Sequence, residues 1–344
     1  MSGVAWGRLL RLSLAPSAAA DALAGMTLGA WGAFPLDPRA ALLPVASLCV
    51  FHGGMALNDW ADREGDARTR PERPIPSGAV SAASALRVGL ALLVIGPLLA
   101  ALAAPLAGAC LAGVALTAAL YDLTGRGAWL GPTLLGLCRA GNLASGVYAG
   151  VALSRAGVAP AWAWWACGVY GAYVFCASRL ARLEDDEDVS ALGGRPTRAL
   201  LGACACLALA PWIAVIFEAP DWPPYQIFGF IPYRIFDEPA PSTVALRSWM
   251  LAPAALLAGY SAASLAREAL RKEDWTRARV GRTAGMALRR LLVFSAAVAW
   301  CAPLAAGIDW DVPFAESKRA WVVAPLLLLG YPIALRLRRV FPPT

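Results

Sequence analysis

A single histidine, His52, and two lysines, Lys272 and Lys318, stand among 344 residues. One histidine excludes His-based catalytic triads and multi-histidine metal sites. Charged residues make up 15% of the chain, against about 25% in soluble domains. That scarcity, with 59% hydrophobic residues and a mean hydropathy of +0.57, excludes a pair of ordinary soluble domains. It reads as one polytopic membrane domain over 1–344. Cysteine is present but unpatterned: Cys49, Cys110, Cys138, Cys167, Cys176, Cys204, Cys206 and Cys301 all lie in apolar runs. None has the paired spacing of a zinc site, and a disulfide framework does not suit lipid, so they read as small core residues. The basic excess is almost wholly arginine, a bias that reads as compositional. The net charge of +7 fits basic cytoplasmic loops. No basic patch interleaved with aromatics is present, so no nucleic acid is expected as a partner.

What is there is apolar sequence of spanning length. Segments near 13–34, 40–58, 81–103, 105–122, 129–152, 160–183, 197–217, 245–267, 284–307 and 319–337 predict an all-α transmembrane bundle of nine to ten helices. The Gly- or Ala-rich runs 105–122 and 284–307 leave that count open. The first run continues to spanning length, so a retained first span is expected rather than a cleaved leader. Basic residues gather in alternate loops, among them 59–80, 179–198 and 267–290. The positive-inside rule then places both termini and every acidic cluster in the cytoplasm. The aromatic, Pro-rich stretch 218–244 reads as an extracytoplasmic insertion at the outer interface.

Carboxylates appear where a membrane segment should be ending. In Asn58–Gly78 (NDWADREGDARTRPERPIPSG), Asp59, Asp62 and Asp66 are spaced i, i+3, i+7. On a continued helix they share one face and repel unless a cation neutralises them. Mg²⁺ suits few carboxylates and commonly bridges to substrate phosphates. Asn58 is placed to orient a ligand water or a phosphate oxygen. Arg70 and Arg73 follow, each before a proline that disfavours helix, and suit an anion. A solvated acidic helix end is the plainer alternative. Three further groups carry candidate chemistry. Glu184–Asp188 is a run of five acids; Tyr121 with Arg126 could donate to a phosphate; Arg139 and Asn142 lie inside the fifth span, where polar residues are costly.

Asn58–Gly78 resembles the first motif of the UbiA superfamily of intramembrane prenyltransferases, NDxxDxxxD followed by RPxRPIPSG. It matches at Asn58, Asp59, Asp62, Asp66, Arg70, Pro71, Arg73 and Pro74 through Gly78. Tyr121 is similar to the family's tyrosine motif, with Arg126 one position late. The second motif departs: LEDDEDVSALGGRPTRAL offers acids, with Asp185 and Asp188 as candidates, in an altered register. The chain looks like a divergent bacterial branch, in span order over its whole length. The resemblance implies a UbiA-like bundle in the inner membrane, its active site facing the cytoplasm. It implies Mg²⁺-dependent transfer of an isoprenyl group from a prenyl diphosphate to an aromatic or other small acceptor. Asp59, Asp62, Asp66 and Tyr121 would be catalytic. Asp59, Asp62 and Asp66, with Asp185 and Asp188 for a second site, would bind metal. Asn58, Arg70, Arg73 and Arg126 would hold substrate, with Arg139 and Asn142 at the acceptor end. Membrane lipid and neighbouring pathway proteins complete the expected partners. A terpene cyclase on the same scaffold, or a non-catalytic lipid-binding or transport-assisting protein, are the competing readings.

Overall fold

Backbone amides in lipid must be satisfied within their own segment, so apolar runs of this length have helix as their available structure. The computed structural model describes residues 3–124, 127–154, 156–184, 193–218, 241–305, 316 and 318–341. Over these the chain is helical, with short 3₁₀ turns and no β-strand. The helices are α1 (Gly3–Leu9), α2 (Ala15–Gly29), α3 (Leu42–Ala61), α4 (Arg63–Thr69), α5 (Ala82–Ala103), α6 (Pro105–Leu123) and α7 (Leu130–Leu153). They continue with α8 (Ala161–Arg182), α9 (Arg195–Leu209), α10 (Ile213–Glu218), α11 (Pro241–Ala269), α12 (Arg277–Arg289), α13 (Leu291–Ala305), α14 (Arg319–Leu328) and α15 (Gly330–Val340).

Each expected span is found as a helix or a helix pair. Among the described residues, seven segments are long and apolar enough to cross a bilayer: 38–61, 82–103, 105–123, 195–216, 249–269, 277–304 and 319–340. Helices α7 and α8 have the length but not the apolarity, and α2 has only 15 residues. Two boundaries differ from expectation. Of the insertion 218–244, residues 219–240 lie outside the described residues, and Pro241 already opens α11. The stretch 267–290, expected as a loop, contains α12. Thr276 caps that helix, its hydroxyl accepting from the Arg279 amide at 3.2 Å. Arg279 is buried against Glu268 at 3.2 Å. With that charge paired, Val280, Thr283, Ala284 and Ala287 pack inward.

Helix α2 joins two cores. Ala20, Ala24 and Leu28 pack with residues of α7, α8, α9, α11, α12 and α13. Ala22 and Met26 pack with α3, α5 and α6. Its closest partner is α7, and both present glycines four apart: Gly25 and Gly29 on α2, Gly146 and Gly150 on α7. A Cβ at Gly25 would sit 2.1 Å from the Leu143 carbonyl oxygen, and one at Gly146 would sit 2.5 Å from that of Ala22. Such small-xxx-small faces let membrane helices meet backbone to backbone. Because the obstructing atoms are backbone, Gly146→Leu is expected to cost about 3 kcal/mol or more. A marked fall in detergent Tm, with loss of monodisperse protein, would register it. A wild-type Tm would refute the close contact.

The bundle is apolar outside and buries a few polar side chains within its mainly apolar core. Asp21, Thr27, Ser145 and Ser295 are buried, whereas Leu98, Leu102, Leu106 and Leu116 are each more than 60% exposed. Leucines so exposed mark the α5–α6 hairpin as lipid-facing. Ser81 caps α5 and Pro105 opens α6, with only Ala104 between them. Helix α5 packs along α3, so the connection 62–81 returns beside the end of α3.

Candidate active site

The α3 screw carries through Asp62 into α4. The Asp62 amide donates to the Asn58 carbonyl at 3.0 Å, and the Asp66 amide to that of Asp62 at 2.9 Å. Helix α4 stops at Arg70, which precedes Pro71 and leaves helical geometry (φ −144°, ψ 61°). The chain then turns back through hydrogen bonds from the Ser77 amide to the Arg73 carbonyl and from the Val80 amide to the Pro74 carbonyl, with Gly78 at φ 76°. That return places the Arg73 guanidinium between the first and third aspartates. Arg73 Nη1 lies 2.6 Å from Asp66 Oδ2 and 3.8 Å from Asp59 Oδ1. All three side chains are more than nine-tenths buried.

Asp59 has a second cationic neighbour. Arg11, whose left-handed backbone (φ 50°, ψ 48°) turns the chain between α1 and α2, donates to Asp59 at 3.2 Å and to Asn58 at 3.4 Å. Asn58 in turn donates from its amide nitrogen to Asp122 at 3.0 Å. The i, i+7 stripe predicted from spacing therefore exists, and two of its members converge on one guanidinium. Asp62 stands at the joint between them, half-buried, and Arg70 is exposed. Tyr121 is half-buried at the end of α6, next to the buried Asp122 that links to Asn58. Arg126, Asp185 and Asp188 lie outside the described residues.

A second polar network lies deeper. Asp21, fully buried on α2, accepts from Arg139 at 2.8 Å, Asn142 at 3.3 Å, Tyr170 at 2.6 Å and Ser295 at 3.2 Å. Arg139 also donates to Ser17 at 3.1 Å and stacks 5.2 Å over the Phe51 ring. An unpaired charge at this depth would be costly, so the α2–α7 contact and the ion pair support each other. Arg139 reaches the cavity described next; Asn142 stands behind it, bonded to the Ala18 carbonyl.

Between these two networks opens a cavity of about 310 Å³. Asp59, Arg11, Arg73 and Arg139 line it, together with Leu288, Leu292 and Leu335. Its lining combines arginines with apolar side chains, the pairing that an anionic group on a hydrocarbon tail requires. Among the described residues, no three His, Cys, Asp or Glu side chains stand close enough together to hold a metal ion. Mg²⁺ usually takes one or two protein carboxylates and completes its shell with water and phosphate oxygens. Asp59 and Asp66, sharing one buried guanidinium with Asn58 adjacent, fit that smaller donor set.

Sequence reading missed four of these residues. Asp21 had a usable signal, being an acid inside the first apolar run. Asp122 adjoined a residue already singled out. Arg11 and Tyr170 had none, because their roles rest on contacts across 48 and 149 positions.

Residues 18–274 match the UbiA prenyltransferase family. The digeranylgeranylglyceryl phosphate synthase of Methanopyrus kandleri is 32% identical over 218 residues, covering 62% of this chain and 77% of that one. The enzyme of the same name from Ignicoccus hospitalis is 44% identical over 85 residues, 25% of this chain and 28% of that relative's length. A UbiA homologue from Archaeoglobus fulgidus, solved bound to GPP and Mg²⁺, shares the fold with a TM-score of 0.54 at 15% identity, over 86% of this chain and 99% of that one. With a family match over most of its length, the motif at Asn58–Gly78 in place and the helices in UbiA order, this integral membrane chain belongs to the UbiA prenyltransferase family.

Proposed function

We propose that this protein transfers an isoprenyl group from a prenyl diphosphate to an aromatic or other small acceptor, with Mg²⁺, at the cytoplasmic face of a bacterial inner membrane. The observation that carries this reading is the buried Asp59–Arg73–Asp66 bridge beside a cavity lined by both arginines and leucines. In transfer, the allylic C–O bond breaks and its electron pair leaves with the diphosphate. A bond forms from the acceptor to the allylic carbon, and the acceptor loses a proton. The chain must therefore hold growing negative charge at one end and shield a carbocation at the other.

Asp59, Asp62 and Asp66 are assigned to hold Mg²⁺, with Asn58 orienting a ligand water or phosphate oxygen. Mg²⁺ bound there supplies positive charge to the diphosphate. Arg73 and Arg70 with Arg126 are assigned to the diphosphate oxygens, and Tyr121 to a hydrogen bond at the same end. Asp185 and Asp188 are assigned to a second Mg²⁺, and Arg139 with Asn142 to the acceptor end. The apolar walls exclude water from the cation.

Purified protein in detergent is expected to bind geranyl diphosphate only with Mg²⁺, and to release pyrophosphate only when an acceptor from a mixed panel is added. Metal-independent binding would sink the proposal. Pyrophosphate release without any acceptor would indicate a cyclase, and binding with no release under any condition a lipid-binding protein.

A further inference from the structure

Arg73 and Arg279 are both buried, yet they are held in different ways. Arg279, at the start of α12, donates from all three of its guanidinium nitrogens, to the Glu268 carboxylate and to the Glu268 and Glu273 carbonyls. No donor nitrogen is left over, as suits a purely structural ion pair. Arg73 makes both of its carboxylate contacts, to Asp66 at 2.6 Å and to Asp59 at 3.8 Å, through the single nitrogen Nη1. Its Nε and Nη2 have no protein acceptor among the described residues. Arginine pairs most strongly with carboxylate as a two-pronged fork, and this bridge uses one prong.

The charges at this bridge balance as they stand. Asp59 and Asp66 bring two negative charges; Arg73 and Arg11, the latter 3.2 Å from Asp59, bring two positive ones. A divalent cation set among these groups adds two charges where water is largely excluded, and unbalanced buried charge is costly. One guanidinium has to yield, and Arg73 is the one that spans both carboxylates. Its backbone can stay in place while the side chain turns. The Arg73 amide donates to the Arg70 carbonyl at 3.1 Å, and its carbonyl accepts from the Ser77 amide at 3.0 Å. Arg73 and Asp59 line the cavity, and Asp66 is not among the lining residues. A guanidinium that leaves Asp66 therefore has the cavity beside it.

Resting on the prenyl-transfer reading, we infer that Arg73 and Mg²⁺ compete for Asp59 and Asp66, and that this exchange turns Arg73 from the aspartates to the diphosphate. Arg73 is then a displaceable placeholder that ties metal binding to diphosphate binding. Held on the aspartates, it keeps its charge from the cavity. Released, it presents Nη1 with Nε and Nη2 as a fork that matches phosphate oxygens. A prenyl diphosphate entering without the metal meets an arginine already bound to carboxylates, so the order of binding is metal first.

Mn²⁺, which shares the oxygen-ligand preference of Mg²⁺, is titrated into the full chain in neutral detergent and counted by the EPR signal of the free ion. Arg73→Ala is expected to bind Mn²⁺ at least about 10-fold more tightly than wild type, because the ion no longer displaces a guanidinium. A bridge that serves structure alone predicts the reverse, a looser site and weaker metal binding. That result overturns the competition, and so does equal affinity. Arg68→Ala makes the same charge change at an exposed position on α4 and should stay within about twofold of wild type. A gain there as large as in Arg73→Ala would trace the effect to net charge and overturn the competition too. Wild type supplies a second measurement that does not depend on the variant folding: phenylglyoxal labelling of Arg73, read by peptide mass spectrometry. Labelling is expected to rise with Mg²⁺ and to fall again when geranyl diphosphate follows. Labelling of Arg73 that ignores Mg²⁺ overturns the competition. Wild type that fails to bind geranyl diphosphate with Mg²⁺, while Arg73→Ala gains Mn²⁺ affinity, counts against the transfer reading alone.

Discussion

Asp62→Ala is expected to abolish Mg²⁺-dependent binding of geranyl diphosphate, a loss of at least about 100-fold. Removing a group that only orients a metal ligand already costs about 10- to 100-fold, and a direct ligand should cost no less. Asp62 is the most telling of the three aspartates because of where it stands. Asp59 and Asp66 are buried on Arg73, whereas Asp62 is half-buried at the α3–α4 joint, where a diphosphate could reach a cation it holds. The hydrogen bonds through the joint run from the Asp62 amide to Asn58 and from the Asp66 amide to the Asp62 carbonyl, so they survive the substitution. Alanine also favours helix over aspartate. Binding should thus be lost from a folded protein, which a retained circular dichroism spectrum would document. Undiminished Mg²⁺-dependent binding in this variant would remove the metal role assigned to the motif.

Arg73→Ala should act on stability before it acts on chemistry. It leaves Asp59 and Asp66 buried without the guanidinium they share, and breaking a buried pair from one side costs about 3–5 kcal/mol. Arg11 still reaches Asp59 at 3.2 Å, so the greater deficit falls on Asp66. The expected result is a fall in detergent Tm, partly recovered by millimolar Mg²⁺, because a cation at the two carboxylates substitutes for the lost charge. Arg70→Ala, at an exposed position, should change stability by no more than about 1 kcal/mol. Equal Tm losses in the two variants would mean that the bridge is not what stabilises this end of the bundle. A Tm of Arg73→Ala that ignores Mg²⁺ would mean that the carboxylates do not bind the ion.

The two substitutions probe different consequences of one local pattern. The i, i+3, i+7 spacing was readable because helix periodicity is a property of neighbouring residues. So were Pro71 and Pro74, which end α4 and start the turn that returns Arg73. Most spans were readable for a related reason, since a bilayer demands long apolar helices and the apolar count is local. Helix α12 was not, because its arginines look like a loop until Glu268 and the carbonyls near it are seen to pair Arg279.

From the order of its residues alone this chain is a polytopic helical membrane protein with a diphosphate-type motif after its second span. Which charges meet was decided only in three dimensions. Asp21 meets Arg139, 118 residues away, because glycines let α2 and α7 touch at their backbones, and Tyr170, 149 residues away, reaches the same carboxylate from α8. Arg8 and Arg338 come from opposite ends of the chain and line one cavity because α15 folds back onto the first turns. Periodicity reports what a helix buries. It does not report which other helix is buried against it, and the chemistry at this site depends on that second fact.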